Sequence, residues 1–142
     1  RGRIPQLDLK YEQQLQQAVT QAIRQGLIQS AHDVADGGLA VALAECAFGT
    51  GLGLAIDMSA DLPLSAILFG ESQSRVILSV KPEHLSALTQ LVNDLAVDMQ
   101  IIGTVTAVPD YKFAYNELMV IDCPLASLEK AWKDGIPCLM QS

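Results

Sequence analysis

Residues 31–45 read Ala-His-Asp-Val-Ala-Asp-Gly-Gly-Leu-Ala-Val-Ala-Leu-Ala-Glu. A cluster of ionisable side chains runs directly into a glycine pair, and the glycines open an apolar helix that begins with Leu39, Val41, Ala42 and Leu43. The first free N–H groups of such a helix, together with its dipole, form a seat for an oxyanion such as phosphate. Asp33 and Asp36 oppose this, because carboxylates repel phosphate unless a divalent cation stands between them. Mg²⁺ takes oxygen ligands and commonly borrows some from a nucleotide, so it would reconcile the two. The plainer alternative makes Asp36 a helix cap and Gly37-Gly38 a turn. Spacing alone leaves both open, since short glycine motifs recur without function.

Outward from this stretch, length and composition set bounds. A chain of 142 residues is about one domain, long enough for a real core. Half of its residues are apolar and only 5% aromatic, so Leu, Ala, Val and Ile must fill the interior, as in a layered α/β or α+β fold. A net charge of −7, with Lys and Arg scattered singly, argues against a nucleic-acid surface or an anionic membrane as partner. Cys46, Cys123 and Cys138 are odd in number and far apart, which suggests neither a disulfide framework nor a zinc site and fits a reducing cytoplasm. The N-terminus does not read as a signal peptide, and no apolar run is long enough to span a bilayer, so a soluble protein is expected.

Helical and extended patterns alternate along the chain. Leu15, Ala18, Val19, Ala22, Ile23 and Leu27 predict an amphipathic helix over 8–28, with Asp8 as N-cap and Gly26 near its end. Ser30–Val34 reads as extended, 38–48 as a buried helix closed by Gly49-Thr50-Gly51, and 52–58 as a strand. A short helix is predicted over 62–69 behind Pro63. A strand follows over 75–80, with Val76, Leu78 and Val80 on one face and Arg75, Ile77 and Ser79 on the other. Pro82 opens a helix with Leu85, Leu88, Val92 and Leu95 in one stripe, and 100–105 reads as a strand. Beyond this the pattern loosens. Pro109-Asp110 reads as a loop, 117–121 as the last strand, and 125–133 as a surface helix anchored by Trp132. These elements predict a single α+β domain over residues 1–142, built on a mixed or antiparallel sheet with helices on both faces.

A second polar cluster, Phe69-Gly70-Glu71-Ser72-Gln73-Ser74-Arg75, precedes the 75–80 strand. It offers donors and acceptors of every kind to a small polar ligand. Its plain alternative is a loop in which Glu71 and Arg75 pair in solvent for little energy. His84 reads as a surface residue. His32 stands beside two aspartates that could hold or orient it, and a histidine bonding the loop for structural reasons is an equal alternative. Glu45, about two turns into the buried helix, is placed to pair with a neighbour and is assigned no chemistry.

These clusters also carry a family resemblance. The segments Gly2–Leu9, Ser30–Glu45, Glu71-Ser72-Gln73-Ser74-Arg75 and Ile102-Gly103-Thr104-Val105 occur in an order and spacing similar to the last domain of phosphoribosylformylglycinamidine synthase large (synthetase) subunits. Those belong to the wider superfamily of aminoimidazole ribonucleotide synthetase-like proteins, with selenophosphate synthetase, thiamine monophosphate kinase and a hydrogenase maturation factor. The His-Asp-x-x-Asp-Gly-Gly-Leu form followed by Ala-x-Ala-Glu looks most like the purine enzyme. The likeness covers about residues 2–105, and the tail to Ser142 fits less specifically.

The resemblance implies an α/β/α-layered domain of an ATP-dependent carbon–nitrogen ligase. That ligase converts formylglycinamide ribonucleotide, ATP and glutamine-derived ammonia into formylglycinamidine ribonucleotide, ADP and phosphate. By resemblance, Asp33 is the magnesium ligand, Ala35, Asp36, Gly37 and Gly38 line the nucleotide or phosphate pocket, and Glu71, Ser72 and Gln73 form a substrate-contacting loop. His32 is a candidate orienting residue, and no catalytic residue is assigned. ATP and Mg²⁺ are the implied cofactors. The implied partners are the remaining domains of the synthetase subunit, a glutaminase subunit and a small accessory subunit, and the chain alone is expected to be inactive and to self-associate through apolar surface. Ala35 departs from the family, which usually has Ser there, and so removes one donor. The last domain is associated more with an auxiliary, structural nucleotide site than with the catalytic one. Another member of the same superfamily, and a scaffold or small-ligand module without catalysis, are the alternative readings.

Overall fold

The first helix, α1 (Leu9–Arg24), begins where the sequence predicts: the Asp8 carboxylate accepts the N–H groups of Lys10 at 2.9 Å and Tyr11 at 3.1 Å. It ends in a Schellman turn, in which Gly26 takes φ +67°, Gly26 N–H donates to Ile23 O, and Leu27 N–H reaches back to Ala22 O. Helix α4 (Pro82–Asp94) ends in the same way, with Ala96 at φ +53° and Val97 N–H bonded to Val92 O. Both turns drive an apolar residue, Leu27 and Val97, into a core that Ala18, Ala22, Leu88 and Val92 complete. The computed structural model describes residues 7–140, with side chains through Asp134, so Gly2–Gln6 of the N-terminal motif and the Cys138 side chain lie outside the described residues.

The remaining elements are β1 (Ile28–Asp33), α2 (Gly38–Ala47), β2 (Gly53–Met58), α3 (Leu64–Phe69), β3 (Val76–Val80), β4 (Gly103–Thr106), β5 (Asp110–Tyr115), β6 (Leu118–Pro124) and α5 (Leu125–Met140). The strands divide between two sheets. β1 and β3 form an antiparallel pair, and a four-stranded sheet runs β4-β2-β5-β6, antiparallel except for the parallel β2–β5 pair. The mixed α+β architecture is therefore as expected, with its strands in two sheets rather than one. Helices flank the β1–β3 ladder on both faces: Ile28, Leu78 and Val80 pack against the α1/α4 core, and Ile77 packs against the larger core around α2. Strand β3 alternates as its sequence predicts, and every residue in it is half-buried because both faces are covered.

Helix α2 is buried on nearly all sides, wedged among β1, β2, α3 and α5. Leu54 and Ile56 of β2 and Tyr111, Phe113 and Tyr115 of β5 form the sheet side of that core. Full burial of each such side chain is worth about 1.5–3 kcal/mol, which makes β5 a main support of the domain.

Two expectations need correction here. The stretch after Pro109 is a core strand, β5, and it turns back through Asn116 (φ +48°) and Glu117 (φ +67°), a two-residue hairpin turn with both residues left-handed. The usual sequence mark of that turn is a glycine at the second position, and Glu117 hides it. The last helix is held by Leu125, 4% exposed, rather than by Trp132, which is 58% exposed and stands tilted to the Phe48 ring at 5.9 Å between centroids. No helix among the described residues is long and apolar enough to cross a membrane.

Candidate functional site

In an antiparallel ladder the end of one strand lies beside the start of its partner, and this places the two polar clusters together. Asp33, the last residue of β1, pairs with Val76, the first of β3, and Val34 N–H extends the ladder to Arg75 O at 3.0 Å. The 33–36 turn and the 71–75 loop thus leave the same end of the ladder. Between them opens a cleft of about 520 Å³, walled by Asp33–Asp36, Glu71–Val76, Leu7 just ahead of α1, and Glu12 and Leu15 of α1. The sequence-selected residues Asp33, Ala35, Asp36, Glu71, Ser72 and Gln73 all line it and all are exposed.

The glycine pair stands beside the cleft and has other work. Gly37 (φ +84°) is the N-cap of α2, and its N–H donates to Glu71 Oε1 at 2.9 Å, while Gly38 N–H turns back to Ala35 O at 3.1 Å. Asp36 therefore is not the cap. The carboxylate that meets the positive end of the α2 dipole comes instead from the other loop. Gly38 is buried at φ +72°, where an added Cβ would lie 2.7 Å from the Phe69 backbone, so α2 and α3 approach this closely only because the residue is glycine. The expected Glu71–Arg75 ion pair does not form, since Arg75 donates Nη1–H to Gly70 O at 3.1 Å and Glu71 faces Gly37. Burial lowers the Arg75 pKa, yet the guanidinium stays charged.

His32 is oriented, but by neither aspartate carboxylate. Its Nδ1 lies 2.6 Å from the main-chain oxygen of Asp33, which makes Nδ1 the protonated nitrogen, and its Nε2 is 3.7 Å from Glu45 Oε2. The ring lies between the end of β1 and α2 and is not among the residues lining the cleft.

Sequence reasoning missed Glu12. Its carboxylate closes the α1 side of the cleft, accepting Ser74 Oγ–H at 2.5 Å and Gln16 Nε2–H at 2.7 Å, bonds that hold it below the ordinary glutamate pKa. A glutamate with a glutamine four residues on looks like ordinary helix surface, and nothing local marks it.

Glu12, Asp33, Asp36 and Glu71 against the single Arg75 leave the cleft with an excess of negative charge. A phosphate entering it needs a cation. Among the described residues no three His, Cys, Asp or Glu side chains converge into a complete metal cage. Two exposed aspartates with hard oxygen donors suit Mg²⁺, which keeps waters and shares its coordination with substrate phosphates rather than demanding an all-protein site. The donor set therefore fits a shared Mg²⁺–nucleotide site and does not fit a free-standing metal centre.

Residues 3–116 match the family model described as AIR synthase related protein, C-terminal domain. The chain belongs to this family. All 142 residues align at 37% identity with phosphoribosylformylglycinamidine synthase subunit PurL of Alkaliphilus metalliredigens, of which they span 19%. The crystal structure of phosphoribosylformylglycinamidine synthase II from Thermotoga maritima superposes with a TM-score of 0.79 at 24% identity, covering 88% of this chain and 22% of that one. T. maritima PurL complexed with ADP gives 0.78 at 23% identity, covering 87% of this chain and 22% of that one. At these identities the two structures establish the α+β fold of the family and nothing finer. The chain spans about a fifth of the length of the relatives it matches.

Proposed function

We propose that the chain is the C-terminal module of a phosphoribosylformylglycinamidine synthase, the ligase that uses ATP and glutamine-derived ammonia to turn formylglycinamide ribonucleotide into formylglycinamidine ribonucleotide in purine biosynthesis. Alignment of the whole chain at 37% identity with a PurL subunit carries this reading. The meeting of the 33–36 and 71–75 loops at one cleft supports it.

In this role Asp33, with Asp36 beside it, holds Mg²⁺. When bound, the ion neutralises phosphate oxygens that the carboxylates would otherwise repel. Ser72 and Gln73 offer hydroxyl and amide groups to the polar parts of the ligand. Glu71 keeps the loop closed on α2 through Gly37 rather than touching the ion. Gly37 and Gly38 serve the pocket indirectly, the first by receiving Glu71 and the second by letting α3 carry the 70–75 loop up to α2. Ala35 lines the cleft without a hydroxyl. Other domains of the longer polypeptide, a glutaminase subunit and a small accessory subunit are the partners of this reading, the cytoplasm its compartment, and the module alone is inactive.

Calorimetric titration of the full-length protein with ADP, with and without Mg²⁺, tests the site, in the wild type and in Asp33→Asn. Magnesium-dependent binding that weakens in the variant supports it. Binding indifferent to both Mg²⁺ and Asp33 favours a scaffold role, for which the filling of the α2 N-terminus by Glu71 is the structural argument.

A further inference from the structure

Ser74 is the one non-glycine residue of the 70–75 loop with positive φ, +61°, a conformation that L-residues hold only when their surroundings over-determine it. Its hydroxyl is held from α1. Ser74 Oγ–H donates to Glu12 Oε2 at 2.5 Å, from a loop to a helix 62 residues away in sequence, and Gln16 Nε2–H fixes the other carboxylate oxygen at 2.7 Å. Both oxygens of Glu12 are thus engaged by protein donors, which suits it to orient rather than to ligate.

Upstream of Ser74 in the same loop, Glu71 reaches Gly37 N–H; one residue downstream, Arg75 O receives Val34 N–H. The loop is therefore fastened at three points, to α2 through Glu71, to the end of β1 through Arg75 and to α1 through Ser74. Only the last is a side-chain-to-side-chain bond, and it falls on the residue with positive φ.

We infer that Glu12 is a positioning residue: by holding Ser74 in its left-handed conformation it fixes Glu71, Ser72 and Gln73 along the cleft. Its effect on ligand binding rests on the function proposed above, whereas the clamp itself does not. Loss of the clamp lets Ser74 leave its left-handed conformation and the 71–73 segment move with it, so the binding-competent form becomes a fraction of the population and apparent affinity falls by that fraction.

Peptide-level hydrogen exchange on the full-length protein tests the clamp. In Glu12→Ala, exchange in the 71–75 segment and at Gly37 should rise about tenfold, while α4 and β5 keep their wild-type rates. Glu12→Gln, which retains an acceptor oxygen for Ser74, should stay within about threefold of wild type. Wild-type exchange in the alanine variant overturns the inference, as does a glutamine variant as open as the alanine one. ADP titration in the presence of Mg²⁺ then tests the positioning role, with dissociation constants about fivefold higher for Glu12→Ala and restored by Glu12→Gln. An open loop with unchanged ADP affinity overturns that role. If the wild type itself binds no ADP, the proposed function falls, and the exchange rates alone decide the clamp.

Discussion

The N–H of Gly37 donates to the carboxylate of Glu71 at 2.9 Å, so the first turn of α2 is capped by a residue 34 positions away in sequence. A glycine N-cap has no side chain to serve its own helix, and Glu71 supplies both an acceptor and a negative charge at the positive end of the dipole. Glu71→Ala should lower stability by about 1 kcal/mol. Glu71→Gln, which keeps an acceptor and loses the charge, should cost roughly 0.3–1 kcal/mol. Urea denaturation of the three proteins measures this, and equal midpoints would show that the contact contributes nothing.

Gly38 separates α2 from α3. A methyl group there would stand 2.7 Å from the Phe69 backbone at φ +72°. Gly38→Ala therefore combines left-handed strain of about 1–2 kcal/mol with overpacking of about 1–3 kcal/mol. The expected loss is roughly 3 kcal/mol, read as a lower thermal midpoint, and a variant as stable as wild type would mean that the two helices can part without cost.

Ala96 occupies the left-handed position that closes α4, φ +53°, where α1 uses Gly26. Ala96→Gly removes the Cβ penalty while the Val97-to-Val92 bond remains available. A gain of up to about 1 kcal/mol is expected, tempered by the greater freedom of glycine in the unfolded chain. Chemical denaturation checks the sign.

Hydrogen bonds from Ser74 and Gln16 lower the Glu12 pKa, giving a defined pH dependence. A carboxyl more acidic in the folded than in the unfolded state adds stability that is fully present above the unfolded value, about 4.3, and is lost as pH falls through the lower folded value. The stability difference between wild type and Glu12→Gln should thus be constant near neutrality and shrink below about pH 4. A difference that stays flat down to pH 2 would show that the Glu12 charge is not what the two donors stabilise.

Met99, Ile101 and Val105 are 38%, 64% and 52% exposed along β4 and the segment leading into it. An open apolar edge of this kind seeks a cover. The isolated 142-residue chain should self-associate, with a sedimentation coefficient that rises with concentration and falls back in Ile101→Glu. A concentration-independent monomer would refute this.

The helices were legible because their signals are local. Asp8 before α1, Pro82 opening α4 and the apolar stripes of both act within one or two turns, and the structure places those helices where the stripes predict them. Strand β5 was not read, although Tyr111, Phe113 and Tyr115 alternate, because Pro109-Asp110 looks like a loop and the following hairpin turn lacks its glycine. The candidate site was half legible. Asp33, Asp36 and Glu71–Gln73 announce themselves by residue type and spacing, whereas Glu12 resembles any solvated helix glutamate.

Residue order determined the succession of helices and strands and gathered the polar groups into two short clusters, since periodicity, caps and turn residues act over a few positions. Only the tertiary structure split the strands into two sheets, set the clusters side by side at one end of the β1–β3 ladder, and gave Gly37 and Ser74 their partners. Those partners lie 34 and 62 residues away, and strand register in the first case and the packing of α1 on the ladder in the second, neither carried by a short segment, bring them within hydrogen-bonding distance.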